Sequence, residues 1–226
     1  MEEMETSEAI YARRSIRRFT KEPVSISQIY RLVDAATHAP SAKNRQPWFF
    51  YIVHDAKSKE EFIACMNTGI DALYEKYCRQ SIPRPDIIGA KNSVQIMEQA
   101  DVIILVQHIR RYGTVHDDGV AWNLHALDIE VADLLSIGAA VQNMLLAAEE
   151  MDLGTLWMCV IFYAYPEVAR FLHTDAPVLS AICVGHPDEK PANRPRLSSK
   201  SVSIMLQEKE RQNIDVEHIL GRDQRV

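Results

Sequence analysis

Residues 131–151, VADLLSIGAAVQNMLLAAEEM, are apolar on almost every side of a helical wheel. As a helix the run would be about 30 Å long at 1.5 Å rise per residue, the length of a membrane span. Asp133, Gln142 and Asn143 interrupt it, however, and its many small residues suit close helix packing. The stretch therefore predicts a helix buried in a core or a subunit interface. The rest of the chain must supply layers that cover it.

The composition can do so. With 226 residues, 47% hydrophobic and 25% charged, the chain can bury a substantial core. No linker, repeat or low-complexity run divides it, which predicts one domain over residues 1–226. The formal net charge is -6, so nothing chain-wide favours nucleic acid or an anionic membrane. The opening residues MEEMETSEAI carry acid where a secretory signal carries basic residues, which predicts a cytoplasmic location. Cys65, Cys78, Cys159 and Cys183 have neither CxxC nor zinc-type spacing and read as buried, reduced thiols.

Ser25 followed by Gln28 forms a capping-box opening for a helix that carries Ile26, Ile29, Val33 and Ala36 and stops before Pro40. Residues 7–14 and 57–79 also read as helices, and Pro166 opens a short one. WFFYIV at 48–53, DVIILVQ at 101–107 and VLSAICVG at 178–185 read as buried strands. Helices and strands alternate without strict βαβ repetition. That favours an α+β architecture with a central mixed sheet flanked by helices.

Against the acidic background, RRSIRRF at 13–19 concentrates positive charge. The glycines form neither GxGxxG nor GxxxxGK, so no backbone nucleotide cradle is present. Guanidinium forks can still bind phosphate through side chains, with the Ser15 hydroxyl as an added donor. The alternative is a solvated basic helix end whose arginines complement the helix dipole. APSAKNRQPW at 39–48 places Ser41, Asn44 and Gln46 in a proline-bounded loop, where polar side chains can meet a planar ligand edge or the loop can simply end a helix. RPRL at 194–197 offers two more arginines, two apart in extended chain. His108, His116, Asp117, Asp118 and His125 fit no metal-ligand spacing, and no metal site is predicted.

Taken together, RRSIRRF, APSAKNRQPW, GAAVQNMLLAAEEMDLGTLWM and RPRL resemble the FMN-dependent nitroreductase family, from about residue 7 to residue 200. The resemblance implies an α+β sandwich, an intertwined homodimer and one FMN at each of two interface sites. It also implies turnover: NADH or NADPH reduces FMN, then a nitroaromatic, quinone or other conjugated acceptor is reduced in a second half-reaction. Arg13, Arg14 and Ser15 match positions at the FMN phosphate and ribityl chain, and Arg17 matches the basic residue beside the pyrimidine. Pro40, Ser41 and Asn44 match the loop that reaches the flavin from the partner chain. Asn92 matches a flavin-edge amide, and Arg194 and Arg196 match the basic pair that closes on the phosphate. Arg18 matches no contact and reads as solvated. Trp157 and Met158 would line the flavin's buried side, residues 108–130, with Tyr112 and Trp122, would form a variable segment over it, and residues 201–226 would embrace the partner. No catalytic side chain is implied, because the flavin carries the chemistry. Flavin storage or delivery without turnover, dehalogenation, enoate reduction and flavin fragmentation remain alternatives, as does an anion-binding module with no flavin.

Overall fold

A computed structural model of the chain describes residues 5–80, 86–109 and 124–205. By its internal contacts the chain divides into Met1–Pro191 and Ala192–Val226. In chain order the first unit contains α1 (Thr6–Ala12), α2 (Ile26–Thr37), β1 (Trp48–Val53), α3 (Ala56–Gln80), α4 (Ile87–Gln99), β2 (Val102–His108), α5 (Leu124–Glu150), β3 (Gly154–Met158), α6 (Tyr165–Phe171) and β4 (Val178–Gly185). In the second unit the chain is irregular through Leu197 and then makes a single 3-10 turn, Ser199–Ser201, whose first residue follows a Ser198 cap.

The sheet has the order β1-β2-β4-β3. All three pairings are antiparallel, which corrects the expected mixed sheet. The parallel contact among the described residues is a single bridge from Ser15 to Thr155. The continuous apolar runs of β2 and β4 report burial on both faces, and that pattern is blind to strand direction. One face is covered by α3, α4 and α6, with Phe62, Met66, Ile70, Val94 and Met97 meeting Ile103, Leu105 and Cys183. The other face is covered by α2 and α5, where Leu32 and Met144 meet Ile104, Val106 and Ile182. The first unit is thus a helix–sheet–helix sandwich, with β2 and β4 at its centre.

The apolar stretch that opened the sequence reading is the body of α5. Ile137, Ala140, Val141, Met144, Leu145 and Ala148 are buried at helical spacing. Val131, Leu134 and Leu135 lie on the exposed side, at 46%, 42% and 71% exposure. α2 starts as its sequence predicts: the Gln28 amide donates to Ser25 Oγ at 3.2 Å, and the Ser25 amide donates to Gln28 Oε1 at 2.9 Å. Two elements went unread in the sequence. α4 follows an Asp86 cap, whose Oδ1 accepts from the Gly89 amide at 2.8 Å, and β3 is the short strand Gly154–Met158. Cysteine burial also needs correction, since Cys78 and Cys159 are exposed, Cys65 is half-buried and only Cys183 is fully buried. Burial pushes the Cys183 thiol up to about 12. Tyr112, His116, Asp117, Asp118 and Trp122, together with residues 206–226 of the expected arm, lie outside the described residues.

A pair of glycines shapes the sheet edge. Gly154 and Gly185 are register partners on β3 and β4. A Cβ on Gly154 would lie 2.9 Å from Ile16 Cγ2, and one on Gly185 would lie 2.9 Å from Phe19 Cδ1. The segment carrying the arginines therefore seats directly over two missing side chains. Gly154→Ala should cost about 1–3 kcal/mol through overpacking against Ile16, and Ser25→Ala should cost about 1 kcal/mol through loss of the cap. Urea unfolding of the purified variants measures both.

Candidate functional site

The arginine segment leaves α1 and runs extended along the edge of β3. The Ile16 amide donates to the Thr155 carbonyl at 2.9 Å, and the Thr20 amide donates to the His186 carbonyl at 2.8 Å. With Ile16 and Phe19 buried, the intervening arginines are turned away from the core. Arg13, Arg14 and Ser15 are half-buried, and Arg17 and Arg18 are exposed. Arg14 Nη1 donates to the carbonyls of Tyr11, Ala12 and Arg13 at 2.7, 3.0 and 2.8 Å. That guanidinium thus serves the carbonyl end of α1, the structural role weighed for it from the sequence alone. Arg17 Nη1 donates to the Ser15 carbonyl at 3.2 Å.

Glu189, not identified from the sequence, organises this segment from the far side. Its Oε1 accepts from the backbone amides of both Arg17 and Arg18, and its Oε2 lies 3.6 Å from Arg18 Nε. One carboxylate satisfies two consecutive amides that would otherwise lack strand partners. The Arg18 side chain is 66% exposed, in keeping with its expected solvation.

The 39–48 loop is built on backbone rarely adopted by residues with side chains. Lys43, Asn44 and Gln46 have φ of 54°, 54° and 49°. The Gln46 amide donates to Ser41 Oγ at 3.1 Å, and Gln46 Nε2 donates to Asn44 Oδ1 at 3.2 Å. Beneath the loop lies a buried ionic cluster. Arg45 Nη2 and Nε approach Asp133 Oδ1 at 2.6 and 2.8 Å, and His108 Nε2 lies 3.2 Å from Asp133 Oδ2. His108, considered among possible metal ligands, is instead committed to this carboxylate. Arg45 and Asp133 were missed as partners, although each carried a signal. Asp133 is the one charged residue between Val131 and Ala148 of an apolar helix, and such a group needs a counter-ion when buried.

These features attach to α5 at two places, the loop near its middle and the arginines near its C-terminal end. The loop is fixed at Asp133 and Ser136, whose Oγ accepts from the Ala42 amide at 3.4 Å. Arg13 and Arg14 act electrostatically on Glu149: burial pushes its carboxyl above the ordinary value, and the two arginines pull it back. From Ser136 to Glu149 is about 20 Å at 1.5 Å per residue. Within one chain, then, the structure gathers Arg13, Arg14, Ser15 and Arg17 in one place and Pro40, Ser41 and Asn44 in another. Asn92 is exposed on α4, whose layer covers the sheet face opposite α5. Trp157 is 42% exposed on the edge strand β3, and Met158 packs half-buried against the α3, α4 and α6 side of the core. Arg194 and Arg196 belong to the second unit, where both are exposed.

The NADPH-flavin oxidoreductase of Vibrio harveyi is 25% identical over 221 residues, covering 97% of this chain and 80% of the relative. The solved structure of the NADPH:FMN oxidoreductase from Vibrio harveyi complexed with NAD+ superposes with a TM-score of 0.69 at 25% identity, covering 97% of this chain and 83% of that one. A protein from Desulfovibrio desulfuricans, solved in complex with FMN, gives a TM-score of 0.64 at 28% identity, covering 91% and 98%. The profile of the nitroreductase family matches residues 10–186, which include the arginine segment, the loop and all of α5. The chain belongs to the nitroreductase family.

Proposed function

We propose that this protein is an FMN-dependent NAD(P)H oxidoreductase that reduces nitroaromatic, quinone or other conjugated acceptors in the cytoplasm. Membership of the nitroreductase family over residues 10–186 is the observation that carries the reading. The donor set fits the cofactor. Three guanidinium groups and a hydroxyl stand within residues 13–17, on an extended segment pinned to β3 and to Glu189. Such a set matches a phosphate together with the electron-rich edge of a planar ring.

Bound FMN supplies the hydride-accepting and electron-donating chemistry. Arg13 and Ser15 would hold the phosphate, with Arg14 adding positive charge from its position at the end of α1. Arg17 would stand at the pyrimidine edge, where a fixed positive charge stabilises developing negative charge. Arg194 and Arg196 are given a share of the phosphate on the strength of the RPRL match alone. Asn92 is retained as a flavin-edge amide on the same ground. Pro40, Ser41 and Asn44 would come from the second chain of a homodimer. The separation of loop and arginines along α5, and the exposed Val131, Leu134 and Leu135, support that arrangement.

Anaerobic addition of NADH or NADPH to FMN-loaded protein should bleach the flavin absorbance, and a quinone or nitroaromatic should restore it. Parallel lines in double-reciprocal plots are expected, because donor and acceptor would use one site in turn. Retention of FMN with no bleaching by either nicotinamide would reject the reductase and favour a flavin carrier. Arg13→Ala should weaken FMN binding by roughly 2–3 kcal/mol, whereas Arg18→Ala, at an exposed ion pair, should change it little. Fluorescence titration of the apoprotein measures this contrast. Arg17→Ala should retain FMN yet lower its reduction potential, read by dye equilibration.

A further inference from the structure

The Arg45–Asp133–His108 cluster has no part in the reaction outlined above, and it is an expensive arrangement to keep. All three side chains are almost fully enclosed, at 8%, 6% and 3% exposure. Apolar residues of similar volume often replace a buried ion pair without loss of stability, so its retention calls for a reason other than stability. Its connections supply one. Arg45 follows directly on Lys43 and Asn44, both in the left-handed region, and precedes Gln46, which is there as well. Such backbone persists only where its surroundings over-determine it. The hydrogen bonds within the loop are a turn from the Asn44 amide to the Ser41 carbonyl at 2.9 Å, one from the Arg45 amide to the Ala42 carbonyl at 3.1 Å, and the side-chain links through Gln46. Its firmest attachments to the core are the two bonds from Arg45 to Asp133.

Asp133 is itself held from a third direction. His108 engages its other oxygen from the end of β2, in register with Trp48 at the start of β1. The Ile109 amide donates to the Pro47 carbonyl at 2.8 Å, and the His108 amide donates to the Pro177 carbonyl at 2.8 Å. Just before His108 the β2–β4 register shifts, and Gln107 Nε2 donates to Thr174 Oγ1 at 2.6 Å, which fixes where β2 ends. The carboxylate thus joins α5, the sheet and the loop at one point.

We propose that Asp133 is a positioning residue for the flavin, acting through Arg45 to hold the Ser41–Gln46 loop in the geometry that presents Ser41 and Asn44. The proposal rests on the flavin reading of that loop. His108 completes the grip by fixing the second carboxylate oxygen. Enclosure of the cluster keeps water from competing for these bonds.

The test combines FMN titration of apoprotein with urea unfolding and amide exchange of residues 41–46. The variants are Asp133→Asn, Arg45→Lys and the double variant Arg45→Met/Asp133→Leu. The single variants are expected to weaken FMN binding by about ten- to a hundredfold, the range for a displaced binding element. The double variant removes both charges together, and its urea midpoint should fall less than that of Asp133→Asn, which leaves Arg45 buried without its counter-ion. It should still bind FMN at least about tenfold more weakly and exchange its loop amides faster. Arg45→Lys keeps the charge but loses the two-pronged contact, so weaker binding there separates geometry from charge. Wild-type affinity and wild-type exchange in the double variant or in Arg45→Lys would overturn the proposal while leaving the flavin reading intact. Failure of the wild-type apoprotein to take up FMN would overturn the flavin reading, and this proposal with it.

Discussion

Everything in the first unit depends on the packing of α5 against the β2–β4 face of the sheet. Ile137, Val141, Met144 and Leu145 close over Ile104, Ile182 and Val184, and most of these side chains are fully removed from water. At about 25 cal/mol per Å² of apolar surface buried, this contact is among the strongest forces holding the sandwich together. It also sets positions for chemistry. The middle of α5 carries the carboxylate that grips the loop, and its C-terminal end lies beside Arg13 and Arg14. Because the helix is a rigid rod, the loop and the arginines are kept apart by a nearly fixed length. The proposed homodimer would bring the two together by drawing the loop and the arginines of one site from different chains.

Charge is used sparingly and in opposite ways at the two places. Along residues 13–18 positive charge stays near the surface, and Glu189 reaches under the segment to satisfy backbone amides. The arginine forks can then turn outward, although Arg14 is partly spent on the end of α1. Beneath the loop, Arg45 and Asp133 are sealed from water, where an unpaired partner would be very costly. The first arrangement suits recognition of an external anion, the second suits holding a shape. Paired glycines at 154 and 185 connect the recognition segment to the sheet by letting Ile16 and Phe19 come close.

Much of this was legible in the sequence where a local signal has one physical meaning. The Ser25–Gln28 box marked the start of α2, and the uninterrupted apolar runs marked β1, β2 and β4. The helical wheel of 131–151 marked α5 as a covered helix, though not whether a core or a subunit interface covers it. Strand direction was not legible, because two-sided burial produces the same apolar run in parallel and antiparallel strands. β3 was hidden because GTLWM is short and glycine-led, and α4 because its apolar periodicity begins within a compositionally loose stretch. In the candidate site, the arginine segment stood out through its density of charge. Glu189, Arg45 and Asp133 did not, since each acts through a partner remote in sequence, 88 residues away for Arg45 and Asp133. Pairings of that kind are properties of the fold, and single residues carry only the hint that a buried charge requires them.

The central claim is that each flavin site takes its arginines from one chain and its loop from the other, and subunit complementation tests it directly. Arg13→Ala and Asn44→Ala chains, each purified as a weak FMN binder, would be unfolded together, refolded as a mixture and titrated with FMN. If the site spans two chains, a mixed dimer pairs one intact site with one doubly damaged site. Random mixing should then restore tight binding at about one site in four, for a two-fold symmetric dimer. If arginines and loop of the same chain served one flavin, every site would keep a defect, and the mixture would bind no more tightly than its components; that result would contradict the account.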